Sequence, residues 1–118
     1  MEIIEAARVL ASRLLWTTVG LRPAGRHLVR ALGSEDEDVR ALAGMSLVQA
    51  GARSEALLEE ALERRQHLPL VLTLLGDIGD PACRPLFERY ARDPDTAVAR
   101  AAREALRVLQ VKGATASP

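Results

Sequence analysis

Apolar residues recur along this 118-residue chain at helical spacing, in runs separated by Gly, Pro and Asp. A first helix is predicted over residues 2–18. There Ile3, Ala7, Leu10 and Leu14, with Ile4, Ala11 and Leu15, form a wide apolar stripe expected to face the core, and Val9 and Trp16 fall on the other side. Gly20 and Pro23 punctuate its end. A short helix follows at about 24–32 with Leu28, Val29 and Leu32 inward, and Gly33 is placed to stop it. The third helix, about 35–50, opens on Ser34 with Glu37 three residues later, the spacing of a capping box, and ends at Gly51. The fourth, about 54–66, buries Leu57, Leu58, Ala61 and Leu62. Residues 69–78 are apolar nearly all round. A strand competes for such a run, but the register described below selects a buried helix. Asp80-Pro81 and Asp93-Pro94 place an N-cap and an N1 proline at the head of a sixth helix and of a seventh, about 94–110. Leu86, Phe87 and Tyr90 form the apolar side of the sixth, and Lys112–Pro118 is expected to be a disordered tail.

The chain also repeats itself. Val39-Arg40-Ala41-Leu42-Ala43 returns 59 residues later as Val98-Ala99-Arg100-Ala101-Ala102, each copy following an acidic turn. A more apolar copy lies between them, with Val71, Leu74, Leu75 and Ile78 standing for Ala43, Ser46, Leu47 and Ala50. A period near thirty residues predicts an all-α chain: a short right-handed α-solenoid of stacked antiparallel helix hairpins, about seven helices in all. One domain is expected over 1–111, with 1–22 as an N-terminal cap and repeats at 24–51, 54–79 and 80–110.

Composition adds limits. Formal charge is balanced, with 16 basic and 16 acidic residues, so nothing in the total announces nucleic acid. The charge is unevenly placed: residues 1–30 and 81–118 are each +3, and the middle is −6. Such a layout suits self-association or a charged partner, although a solvated outer face is the simpler explanation. No apolar run reaches the length of a membrane span and no signal-peptide layout is present, so a cytoplasmic protein is expected. The single cysteine, Cys83, excludes an internal disulfide.

These residues resemble the HEAT-like repeat family in its short bacterial form, best known from bilin-lyase subunits. The matching positions are Asp38-Val39-Arg40, Ala43 and Leu47, the joint Leu75-Gly76-Asp77-Ile78-Gly79-Asp80-Pro81, and Asp93-Pro94-Asp95 with Val98, Ala102, Ala105 and Leu106. The resemblance spans about 26–110 and implies a fold more than an activity. It implies that Arg40 pairs with an Asp of a neighbouring repeat; the last repeat has Ala99 at that position.

No residue set amounts to a catalytic site. Cys83 lies near a helix start without a base nearby, and His27 and His67 have no second ligand pair, so neither catalysis, a metal nor a cofactor is expected. Gly76 to Gly79 lacks the Lys-Ser/Thr of a phosphate loop. Arg100, Arg103 and Arg107 share one face of the last helix, with Arg89 and Arg92 near them. The expected contact set is Arg40, Asp77, Arg100, Arg103 and Arg107 on a concave face lined by the second helix of each pair, with Trp16 as a possible anchor. The leading expectation is a non-enzymatic protein–protein interaction scaffold that can also self-associate. A nucleic-acid binder using the Arg stripe and a lyase-type accessory subunit binding a small ligand are the alternatives.

Overall fold

The computed structural model describes residues 3–18 and 22–116. Every regular element among them is helical: α1 (Ile3–Thr18), α2 (Arg22–Ala31), α3 (Glu37–Gln49), α4 (Ala52–Glu63), α5 (Leu68–Ile78), α6 (Arg84–Tyr90) and α7 (Thr96–Ala116), with one 3-10 turn, Pro81–Cys83, leading into α6. The apolar run of α5 is helix, with Val71, Leu72 and Leu75 fully enclosed. Gly20, Glu2 and the last residues of the expected tail lie outside the described residues.

The chain divides into two compact units, Met1–Ala61 and Leu62–Pro118. In the first, α2 packs on both α1 and α3, which also touch each other. Helices α1 and α3 run in the same direction. Glu5, near the start of α1, meets Ser34 just ahead of α3, and Arg13 Nη2 donates to Gln49 Oε1 at the far end of α3, 2.8 Å away. In the second unit α6 packs along α7, and α5 runs parallel to α7. Gly76 abuts Ala105 there, and Gly79 abuts Lys112. An added Cβ on Gly76 would lie 3.0 Å from the Ala105 Cβ, so the missing side chain is what lets these two helices approach.

The two units match at the 59-residue offset beyond the segment from which it was read. Val9, Ser12 and Trp16 of α1 stand where α5 has Leu68, Val71 and Leu75, and all six are buried. Leu28 stands for Phe87, and Val39 and Ala43 for Val98 and Ala102, again all buried. The turns match as well. Ser34 Oγ accepts from the Asp36 N–H at 3.1 Å and Asp93 Oδ1 accepts from the Asp95 N–H at 2.9 Å. Asp36 Oδ1 then accepts from Asp38 N–H and Asp95 Oδ1 from Ala97 N–H.

Helix α1 corrects the reading of its faces. Among its described side chains the buried positions are Val9, Ser12 and Trp16, and the apolar stripe expected inside is outside. Ile3 is 85% exposed, Leu14 62% and Leu10 51%, with Ile4 and Leu15 also open. Trp16 explains the orientation. Its ring shares with the Leu57 side chain the space left by the absent side chain of Gly25, and its Nε1–H donates to Ser54 Oγ at 3.0 Å. The Ser54 hydroxyl donates in turn to the Leu47 carbonyl, and Arg53 Nη1 donates to the Trp16 carbonyl at 3.0 Å. One indole seated with its N–H satisfied outweighs several smaller side chains left in water.

Helix ends depart from expectation by a residue or two. Asp36, not Ser34, caps α3: its carboxylate accepts from the Asp38 and Val39 N–H groups, while the Ser34 oxygen accepts from Asp36 N–H, one residue ahead of the helix, and its hydroxyl donates to Glu5. Asp95 rather than Asp93 opens α7. Asp80 caps the 3-10 turn, and α6 follows it. Pro23 sits inside the first turn of α2, where a missing N–H is harmless. Helix α7 continues past 110 to Ala116, so Lys112–Ala116, expected in a tail, are helical.

The α4–α5 connection holds two non-glycine residues in left-handed backbone, Arg65 at φ 54° and His67 at φ 50°. His67 caps α5 without a side-chain bond and is exposed. Replacing His67 by Gly removes the Cβ clash of that conformation and should raise stability by about 0.5 kcal/mol, after the added chain entropy is deducted. A shift of the urea midpoint checks this.

Candidate functional site

The residues singled out from sequence divide between the units, with Arg40 and Trp16 in the first and Asp77, Arg100, Arg103 and Arg107 in the second. Trp16 is 3% exposed and belongs to the core, which removes it as a surface anchor. Arg40 Nη1 donates to the Ser34 carbonyl at 2.6 Å. It therefore braces its own turn instead of pairing with an Asp of a neighbouring repeat.

Two members of the Arg stripe on α7 are engaged locally. Arg107 Nη2 donates to both carboxylate oxygens of Glu104, 2.7 and 2.6 Å away, and that bond pushes the guanidinium further above its ordinary pKa. Arg103 Nη1 reaches the Ala91 carbonyl at the end of α6, 3.4 Å away. Arg100 is exposed. Asp77 joins α7 through its backbone carbonyl, which accepts from Lys112 Nζ at 2.6 Å. Arg89 lies 5.7 Å from the ring centre of its neighbour Tyr90. The stripe thus presents one guanidinium without a described partner, a weaker phosphate grip than three.

An ion pair made through both terminal guanidinium nitrogens of Arg65 was not singled out. Arg65 Nη1 and Nη2 both donate to Asp93, at 3.2 Å, across the second unit. Its left-handed backbone and its pairing occur at the same residue. The Asp93 side chain is 8% exposed. The Arg65 hydrogen bond first, and the Asp95 N–H second, hold the Asp93 carboxyl below the usual carboxylate range. A depressed pKa stabilises the fold at pH above the unfolded value, and the gain disappears as pH falls through the folded value. Arg65→Leu should therefore move the Asp93 titration up toward the ordinary value near about 3.9 and bring acid unfolding on at higher pH. Carbon NMR of the Asp93 carboxyl, with an acid titration of helicity, checks both.

Two surfaces of the first unit follow from the orientation of α1. One is the outward stripe of Ile3, Ile4, Leu10, Leu14 and Leu15. The other is an open groove of about 390 Å³ where α1 meets α2, lined by Ile4, Glu5, Arg8 and Val9 on one side and His27, Arg30 and Ala31 on the other. His27 is half-buried there, and its imidazole is pushed below its ordinary pKa by burial and then by the charges of Arg30 and Arg8. His27 and Arg30, one helical turn apart, were visible in the sequence; Arg8 joins them only once α1 is turned the right way.

Cys83 is buried in the 3-10 turn, in keeping with a packing role. Among the described residues no helix is long and apolar enough to cross a membrane. Comparison with protein-family models, with curated proteins and with solved structures finds no match to this chain.

Proposed function

We propose that the protein is a non-enzymatic protein–protein interaction module of HEAT-like helical hairpins, and that the outward apolar face of α1 docks against a second copy of the chain. The observation that supports this reading is that stripe. Five large aliphatic side chains on one helix are 42 to 85% exposed. They offer roughly 500 Å² of apolar surface, toward the top of what a monomer's largest patch usually holds. Two copies joined face to face would bury about 1,000 Å² before flanking atoms are counted, the threshold for a specific interface. An isologous pairing needs only one surface that complements itself, and a straight aliphatic stripe does so.

The pair should form at micromolar concentration, because an interface near the lower size limit leaves little beyond the entropy lost on association. Replacing Leu10 and Leu14 together by Glu should weaken it at least about 100-fold while the chain stays folded, since neither side chain is in the core. Light scattering across a concentration series reads the mass. Two chains for the parent protein and one for the variant support the proposal. A parent protein that stays a single chain at about 100 µM, or a variant as dimeric as its parent, overturns it.

A further inference from the structure

We infer that the groove between α1 and α2 is a binding site for a phosphate monoester dianion, gripped by Arg8, His27 and Arg30. The inference is independent of the self-docking face. Arg8 comes from α1, and His27 and Arg30 come from successive turns of α2, so two helices aim three nitrogen donors at one cavity of about 390 Å³. Neither Arg8 nor Arg30 makes an ion pair among the described residues. They stand close enough to His27 for both charges to act on it. Two guanidiniums that share a groove with a single carboxylate leave an excess of positive charge there, and a bound anion relieves it.

The one carboxylate among the described residues lining the groove, Glu5, already accepts the Ser34 hydroxyl at 2.5 Å. Its single charge does not balance two guanidiniums. A dianion does, and it recruits His27 as a third donor by raising the proton affinity of the imidazole. Planar guanidinium forks match the oxygens of a phosphoryl group, and the open mouth leaves room for the group that carries it. A monocarboxylate has neither the charge nor the number of oxygens to engage all three donors.

The test uses the chain's two histidines. His27 lines the groove, and His67, exposed on the α4–α5 connection, serves as an internal control. The imidazole signals of the full chain are followed by NMR while inorganic phosphate is added, with chloride and acetate series at matched ionic strength. The expected result is a saturable shift of His27 with phosphate alone, a rise in its titration midpoint, and a His67 that follows only ionic strength. Glycerol phosphate should act like phosphate, as a soluble monoester. Arg8→Gln with Arg30→Gln, both at exposed positions, should weaken the response at least about tenfold without changing helicity. Failure of His27 to move more than His67 at tens of millimolar phosphate overturns the proposal. So does an equal response to acetate, or an undiminished response in the double variant.

Discussion

Trp16→Ala should lower the unfolding free energy by about 4 kcal/mol, whereas Leu14→Ala on the same helix should change it by less than about 0.5 kcal/mol. Hydropathy alone would rank the two the other way on this helix, because Leu14 lies at the centre of the apolar stripe. Trp16 is 3% exposed and packs into the gap that Gly25 leaves, and Leu14 is 62% exposed. Truncating the indole opens a cavity that the surrounding helices cannot close, since their backbones are fixed by their own hydrogen bonds. It also removes the donor to Ser54, whose hydroxyl keeps its bond to the Leu47 carbonyl. Trp16→Phe should fall between, losing about 1 kcal/mol for the hydrogen bond and some packing volume. Urea unfolding at submicromolar concentration, where self-association does not contribute, gives all three values. A costly Leu14→Ala with a cheap Trp16→Ala would put the stripe inside and reverse α1.

Gly76→Val should destabilise the second unit by about 3 kcal/mol. Helix propensity pulls the other way: a glycine within a helix is worse than alanine by about 1 kcal/mol. Geometry decides the sign. A Cβ at position 76 would lie 3.0 Å from Ala105 Cβ and 3.1 Å from Ala105 Cα, so it meets backbone that cannot rotate away. For Ala the propensity gain and the crowding nearly cancel. The two further methyls of Val push α5 and α7 apart along their parallel contact. Ala105→Gly should recover part of the loss in the Gly76→Val background, because it clears one of the two contacts. A destabilised unit with no such recovery would mean that the cost arises within α5 rather than between the helices.

The helices and most buried positions were legible because period and repetition agree. The sets Leu57, Leu58, Ala61 and Leu62 and Val71, Leu74 and Leu75 are apolar and are buried. The inner face of α1 was not legible from its own stripe, since an outward apolar face and an inward one have the same period. The information lay in the 59-residue offset, which aligns Val9, Ser12 and Trp16 with Leu68, Val71 and Leu75 once it is extended past the second helix of each pair. Cap identity was obscured by three alternating candidates, Ser34, Asp36 and Asp38, any of which satisfies the local rule. In the fold Asp36 takes the Asp38 and Val39 N–H groups, and Ser34 is engaged by Glu5, distant in sequence. The left-handed Arg65 and His67 had no glycine to mark them.

The candidate site divided in the same way. The spacing of Arg100, Arg103 and Arg107 was visible, as was Glu104 three residues before Arg107, and the pair they form reduces the free charge of that face. Arg103's bond to Ala91 needed the α6–α7 turn. The Arg8, His27 and Arg30 convergence needed the orientation of α1, as did the exposed stripe beside it.

That stripe makes the most direct test a cross-link at its centre. In a symmetric pairing the residue nearest the two-fold axis faces its own copy, and Leu10 lies midway along the exposed positions from Ile3 to Leu15. Leu10→Cys should oxidise rapidly to a disulfide-linked dimer at low micromolar concentration, while Glu59→Cys, exposed on α4, stays a single chain, and buried Cys83 contributes nothing to either. Cross-linking at Leu10 no faster than at Glu59 would contradict a self-docking α1 face.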